Sequence, residues 1–330
     1  MKTFTAFTIK QQDQELIGQV EQLTQADLSA GNVFIQVKYS SVNFKDALAV
    51  QKNGGVIRQY PMIPGIDLSG VVVHSEDERF TQGQPVLVTG YGLGVTHTGG
   101  FSEYVQVPAQ WVVPLPESLT LKEAMILGTA GFTAALSVMA LENNGLGTDK
   151  NADIIVTGAS GGVGSLALSM FKKLGYTSVT ALTRKEAAFD TLTKLGATSC
   201  LLLDDFLSER PKPLDKQLFD FAIDTTGGQI TSGLLPKMRY DGSIALCGNA
   251  AGIKLETTVL PFILRGIHLL GVDSVNVAMP KRLTVWQRLA TDLAITDQAV
   301  YQEVTLAELP EVFSALMKGH HIGRTIVQIS

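Results

Sequence analysis

Cysteine is nearly absent. The 330 residues hold two, Cys200 and Cys247, too few for a disulfide framework or a structural zinc site. Charge is sparse too, at 17% of residues, and 26 basic against 31 acidic side chains leave a formal net charge of −5. With a pI near 5.6 and no Lys/Arg-rich tract, the chain lacks the footprint of a nucleic-acid binder. No uninterrupted apolar run approaches the ~18 residues of a membrane span. The opening stretch MKTFTAFTIKQQDQE has no apolar core of a signal peptide. The five histidines (His74, His97, His268, His320, His321) form no His-x-x-x-His pair, and neither cysteine has a ligand-spaced neighbour. No G-x-S-x-G elbow occurs. What remains is an apolar chain, 45% hydrophobic, expected to be soluble and cytoplasmic. At roughly 150 residues per domain it should form two domains, each with its own core.

Glycine is plentiful, and its spacing divides the chain. Before Thr120, short β-branched runs such as Val33–Tyr39, Leu68–Val73 and Pro85–Thr89 alternate with turn residues, and helical signal is scarce. That predicts a β-rich domain of short strands and long loops. Thr120 and Glu123 make a capping-box pair that opens a helical stretch to about Leu141. Gly128 and Gly131 inside it predict two short helices or a close backbone approach. Strand and helix then alternate: strands at Asp153–Thr157, Ser178–Leu182, Phe221–Asp224 and Ser243–Leu246, helices at Ser165–Leu174 and Glu186–Leu195. The fold class is α/β with a doubly wound parallel sheet. Ser274–Pro280 breaks the alternation, and Arg282–Asp292 reads as an amphipathic helix. Helix Leu306–Lys318 and strand Arg324–Ile329 are assigned back to the first domain. The expected division is 1–121 with 295–330 for the β-rich domain and 122–294 for the parallel-sheet domain.

The most informative segment runs from Ile154 through Gly158-Ala159-Ser160-Gly161-Gly162-Val163-Gly164. A buried strand meets a glycine turn and a helix follows, the context in which backbone N–H groups approach a pyrophosphate on a helix N-terminus. The spacing is G-x-x-G-G-x-G rather than the strict G-x-G-x-x-G. One strand later the tip reads Thr183-Arg184-Lys185, where an NAD site would carry an acid for the ribose 2′-hydroxyl. Arg184 instead offers a fixed cationic fork suited to a 2′-phosphate, which predicts NADPH. A cation opening a helix is otherwise unfavourable at the positive dipole end. Cys247 ends an apolar strand and reads as a small buried hydrophobe.

Several further segments carry a resemblance. They are Asn43-Phe44-Lys45-Asp46-Ala47-Leu48, Pro61-Met62-Ile63-Pro64-Gly65-Ile66-Asp67, Gly128-Thr129-Ala130-Gly131-Phe132-Thr133-Ala134, Pro261–Arg265, Gly271–Val275 and Gly323-Arg324-Thr325. With the glycine turn, they resemble the zinc-free medium-chain dehydrogenase/reductases over essentially the whole chain. The similarity is greatest to the bacterial branch of quinone oxidoreductases and acryloyl-CoA reductases. Where zinc-dependent relatives have Gly-His-Glu, this chain has Gly65-Ile66-Asp67. The resemblance implies a GroES-like β-rich catalytic domain, a Rossmann domain, a cleft between them, NADPH and a homodimer. It places Asn43, Phe44 and Asp46 at the nicotinamide end, with Thr129 and Thr133 beneath it. Ser160, Gly161, Gly162 and Val163 fall against the pyrophosphate, Thr183 and Arg184 around the 2′-phosphate, and Arg324 closes the cleft. Asp46 and Thr133 fit capping or core satisfaction equally well. Phe44 stands where relatives often have Tyr, so no proton transfer is assigned there.

Such reductases send a hydride to an electron-poor carbon, for an enoyl thioester the β-carbon, and negative charge develops on the thioester oxygen. Asn43 and Lys45 are the candidate donors, although Lys45 could pair with Asp46 or Asp67. Tyr91, in Gly90-Tyr91-Gly92-Leu93-Gly94, is a candidate proton donor, with loop packing as its other reading. The partner is a small molecule, an enoyl-CoA such as acryloyl-CoA or a quinone. A CoA substrate calls for a basic rim, for which Arg265, Lys281 and Arg282 are candidates. A protein that binds NADPH without turnover is the alternative of another class.

Overall fold

The computed structural model describes residues 3–13, 15–147, 149–207 and 212–329. The chain forms two compact units. The first comprises residues 1–129, 275–290 and 300–330, the second 130–274 and 291–299. Helix Met279–Leu289, which the sequence pattern grouped with the parallel sheet, falls in the first unit. The reason is Arg282. Its buried guanidinium donates to the carbonyl and hydroxyl oxygens of Thr89 at 2.8 and 2.9 Å and to Val275 O at 3.0 Å.

Seven strands make the main sheet of the first unit. Along it run Tyr301–Val304, Arg324–Gln328, Val33–Val42, Asp67–Ser75, Pro85–Thr89 and Val113–Pro114, and Tyr104–Val107 also pairs with Val33–Val42. The C-terminal strand does return to this unit, antiparallel to Val33–Val42 with Thr325 opposite Val42. Alternation along Val33, Ile35 and Val37 buries one sheet face against Leu68, Val72, Val86 and Val105. A separate hairpin pairs Phe4–Gln12 with Glu15–Leu23. Its outer strand is Gln- and Glu-rich and mostly exposed, so its sequence carries little core signal. Helix Phe44–Ala49 is short, and Ala47 and Ala49 pack it against Phe313 and Leu309.

The second unit contains a six-stranded sheet, all neighbours parallel. Across it lie Ser199–Leu202, Val179–Thr183, Ile154–Thr157, Phe219–Asp224, Met238–Leu246 and His268–Gly271. Numbered by sequence this is 3-2-1-4-5-6, the doubly wound order whose switch point lies between the first and fourth strands. Ligands of such sheets bind at the carboxyl ends there, and the glycine turn leaves from that end of Ile154–Thr157.

Helix Leu121–Glu142 contains an 18-residue window of mean hydropathy 1.8, which Gly, Thr and Ser interrupt. The fold buries 83% of that window, so this is a core helix and not a span. It is kinked at Gly128, whose φ of 51° and ψ of −155° are non-helical. A Cβ there would stand 2.5 Å from Ser41 Oγ and 2.6 Å from Asp67 Oδ2, so both the break and the close approach are present.

Candidate active site and cofactor turn

In the first unit, polar residues from three other stretches of the chain, Ser41 with Asn43, Thr129 and Arg324, gather around Asp67. The carboxylate is fully buried at the start of its strand. Its Oδ2 accepts from Ser41 Oγ at 2.6 Å, Asn43 Nδ2 at 2.7 Å and the Thr129 N–H at 2.9 Å, and its Oδ1 from Thr129 Oγ1 at 2.5 Å. Beside it lies Arg324, also buried. Its guanidinium donates to Ile126 O at 3.0 Å, Val42 O at 3.1 Å, Ser41 Oγ at 2.9 Å and Asn43 Oδ1 at 3.4 Å. Burial pushes its pKa down, while the charges of Asp67 and Asp46 push it up. Ser41 thus relays between guanidinium and carboxylate. A charge buried this deeply persists only when hydrogen-bonded on most of its polar atoms.

Asp46 is the second buried carboxyl. It caps its own helix, with Oδ2 accepting the Asn43 N–H at 2.8 Å, and its Oδ1 accepts the Ile66 N–H at 3.1 Å. Burial, and then the negative charge of Asp67, push its pKa up to about 7.

These contacts change the expected roles. Arg324, read as closing a cleft, is a brace inside the first unit, because carbonyl oxygens and Ser41 take its donors. Asn43 gives its amide N–H groups to Asp67 and, at 3.4 Å, to Ser41 O, so it is held rather than offered to a substrate oxygen. Lys45 forms no ion pair with Asp46 or Asp67, and the lysine is only partly buried. Phe44 beside it is exposed. Tyr91 is packed: its ring stacks on Trp111 at 5.6 Å and lies 4.4 Å from the Arg282 guanidinium. Its hydroxyl donates to Val277 O at 3.0 Å, so loop packing, not proton donation, is what its contacts describe. The expected basic rim also changes. Arg265 is buried, donating to Pro236, Met238 and Asp215 carbonyls, and Arg282 is buried as described.

In the second unit, the strand's last residue, Thr157, leads into Gly158 at φ +57°. A Cβ on Gly158 would run into the Thr225 hydroxyl. Helix Gly162–Lys173 follows, and its first backbone bond runs from Ser165 N to Gly161 O. The N–H groups of Gly162, Val163 and Gly164 therefore precede the ladder and sit at the positive dipole end. Ser160 Oγ and Thr183 Oγ1 are 3.1 Å apart, which ties the turn to the tip of the second strand. Arg184 is exposed next to Lys185, whose pKa falls through burial and then through the Arg184 charge. Two adjacent cations repel, and an anion between them would relieve both. Thr133 lies buried in the core helix.

Asp224 escaped the sequence reading. It ends the fourth strand fully buried, and its Oδ1 accepts from Thr157 Oγ1 at 2.6 Å, Thr226 N at 2.9 Å and Thr226 Oγ1 at 2.7 Å. Thr231 Oγ1 donates to its other oxygen. It fixes the switch-point loop against the glycine turn. The run Asp224-Thr225-Thr226-Gly227-Gly228 was its only local signal.

Comparison with known proteins adds the lineage. The family model of the alcohol dehydrogenase GroES-like domain matches residues 29–117, and that of the zinc-binding dehydrogenase matches 162–291. An Escherichia coli (strain K12) protein provisionally named acrylyl-CoA reductase AcuI is 45% identical over 327 residues, 98% of this chain and 99% of its own. Bacillus subtilis (strain 168) YhfP, provisionally named a quinone oxidoreductase, is 44% identical over 329 residues, 99% of each chain. Its solved structure with NAD bound has a TM-score of 0.95 and 44% identity, over 99% of this chain and 100% of that one. The Salmonella enterica yhdH oxidoreductase in complex with NADP gives 0.95 and 45%, again over 99% and 100%. A GroES-like unit joined to a 3-2-1-4-5-6 parallel sheet defines a two-domain oxidoreductase. The chain belongs to the medium-chain dehydrogenase/reductase family, in its zinc-free type. Its residues do not fit the zinc of the family's metal-dependent members. Ile66 is apolar, both oxygens of Asp67 are taken by hydrogen bonds, and among the described residues no group of three His, Cys, Asp or Glu could hold a metal ion.

Proposed function

We propose that this chain is an NADPH-dependent reductase that reduces the double bond of a short enoyl thioester, acryloyl-CoA to propionyl-CoA. The observation that carries the cofactor is the exposed Arg184 beside Lys185 at a strand tip with no acid. The turn from Ser160 to Val163 and the N–H groups at the start of its helix would hold the pyrophosphate, with Thr183 and Arg184 at the 2′-phosphate. The NADP-bound Salmonella relative supports this cofactor. When bound, NADPH supplies a hydride from C4 of its nicotinamide.

The acceptor is the thioester's β-carbon, and the electron pair displaced from the double bond ends on the thioester oxygen. Lys45, whose side chain makes no hydrogen bond with any described residue, is the donor for that oxygen. Asn43, Thr129 and Asp46 are positioning residues, held by the Asp67 cluster. Water delivers the proton to the α-carbon. The AcuI relative's name supports the thioester; the name of YhfP supports a second reading, NADPH:quinone reduction. A homodimer fits the exposed Val259, Ile263 and Leu264 that precede the open edge strand His268–Gly271.

Steady-state turnover with NADPH tests the acceptor. kcat/KM for acryloyl-CoA should exceed that for a simple quinone at least about tenfold, ~1.4 kcal/mol of transition-state preference. A quinone turned over as efficiently defeats the thioester reading.

A further inference from the structure

Between Leu28 and Ile66 the sequence carries four cations, Lys38, Lys45, Lys52 and Arg58, and one acid, Asp46, in a protein of net charge −5. Asp46 is buried, so this stretch shows solvent no carboxylate. Lys52 and Arg58 are exposed and make no hydrogen bond, ion pair or ring contact with any described residue. Several cations elsewhere are paired: Lys10 with Glu21, Arg79 with Asp77, Lys122 with Glu303, Lys237 with Asp215.

The loop that carries them is fixed at both ends. It leaves helix Phe44–Ala49 through two tight turns, Gln51 N to Leu48 O at 3.0 Å and Gly54 N to Gln51 O at 2.9 Å. Ile57 is buried with Ala47 and Phe313, and the Tyr60 hydroxyl donates to Ile57 O at 3.1 Å. The loop's far end returns to the same helix, where the Ile66 N–H meets Asp46. Arg58 thus projects from a neighbour locked in the core. Even fully extended, the eight residues from Val50 to Arg58 span at most about 28 Å, which bounds how far either cation lies from the end of helix Phe44–Ala49.

We infer that this loop is a subsite for the phosphates of a CoA thioester, with Lys52 and Arg58 as its cations. The inference rests on the enoyl-thioester reading and deepens it. Arg58 presents a planar fork to a phosphate and Lys52 a point charge. They replace Arg265 and Arg282, which the fold buries. Binding energy gained so far from the reacting carbon helps hold a small acyl group in place.

The test compares acryloyl-CoA with acryloyl-pantetheine, which lacks all three phosphates, in the full-length enzyme with NADPH and in the double variant Lys52→Gln, Arg58→Gln. The expected result is a rise of about tenfold in KM for acryloyl-CoA, with kcat and both constants for acryloyl-pantetheine unchanged. Raising salt should erode the wild-type preference for the CoA form and not alter the variant, because exposed charge pairs are screened. Activity on acryloyl-pantetheine reports that the variant is folded. If the variant keeps the wild-type preference, or the wild type has none, the subsite is wrong and the thioester reading stands. If neither thioester is reduced while a quinone is, both fall together.

Discussion

Both units bury charges and hydrogen-bond them, Asp46, Asp67, Arg282 and Arg324 in the first and Asp224 and Arg265 in the second, but the second also leaves Arg184 exposed at a strand tip. A buried, hydrogen-bonded charge is architecture: it costs desolvation and is held by the groups around it. An exposed cation with no partner among the described residues is available to a ligand. The first unit has exposed cations too, Lys52 and Arg58, beside the buried ones. Exposure and pairing, rather than residue type, therefore separate binding from bracing.

Asp67→Ala should break the comparison on the buried side with the largest effect. It strands the donors of Ser41, Asn43 and Thr129 and leaves the Arg324 charge without its nearest carboxylate. Losses of about 3–5 kcal/mol are typical when one member of a buried charged network is removed. Urea unfolding should show the transition of the first unit moving strongly to lower denaturant, and a shift below about 1 kcal/mol would mean the cluster is not a brace.

The buried side also has a pH signature. Asp46 has a folded pKa near 7 against 3.8 for the ordinary group, so the folded state binds more protons between those values. Its contribution to stability is fully present below about pH 4 and is lost as pH rises through 7. The wild type should lose stability over that window by an amount on the order of a few kcal/mol, and Asp46→Asn should flatten the slope. Parallel curves for the two proteins would remove Asp46 as the cause.

The glycine turn and the cations at the second strand's tip were legible in the sequence as local features, and the buried cluster was not. The glycine turn and Thr183-Arg184-Lys185 are contiguous, and their chemistry follows from local order. The pair Ser41 and Asn43, then Asp67, Thr129 and Arg324, come from stretches far apart in the chain. Nothing in their spacing shows that one carboxylate gathers them. Read alone, Arg324 looks like a ligand group, as Arg265 and Arg282 do; only burial reverses that. Asp224 was hidden for the same reason, since its partner Thr157 stands 67 residues away.

Arg184→Ala sharpens the exposed side. It removes a charge-assisted pair worth about 1.5–3 kcal/mol, which corresponds to roughly 10- to 150-fold in Kd for NADPH. NADH, without the 2′-phosphate, should bind almost as before, and unfolding should not change. Titration of both cofactors against wild type and variant decides it. Equal losses for the two would show that Arg184 serves the turn and not the phosphate.

Tyr91→Phe should have the smallest effect, and it tests a residue on the border between the two kinds. Its hydroxyl is bonded to Val277 O and its ring lies between Trp111 and the buried Arg282. Phe keeps the ring, the stacking and most of the cation–π contact, and loses one hydrogen bond worth about 0.5–1.5 kcal/mol. If packing is its role, stability falls by that amount and turnover with NADPH stays within about twofold. Positioned proton donors contribute about 10²- to 10⁴-fold, so a donor role would show as a collapse of kcat with little change in unfolding. The two outcomes differ by at least an order of magnitude in opposite observables. A hydroxyl that already donates to a carbonyl oxygen favours the first, because its proton is committed within the fold.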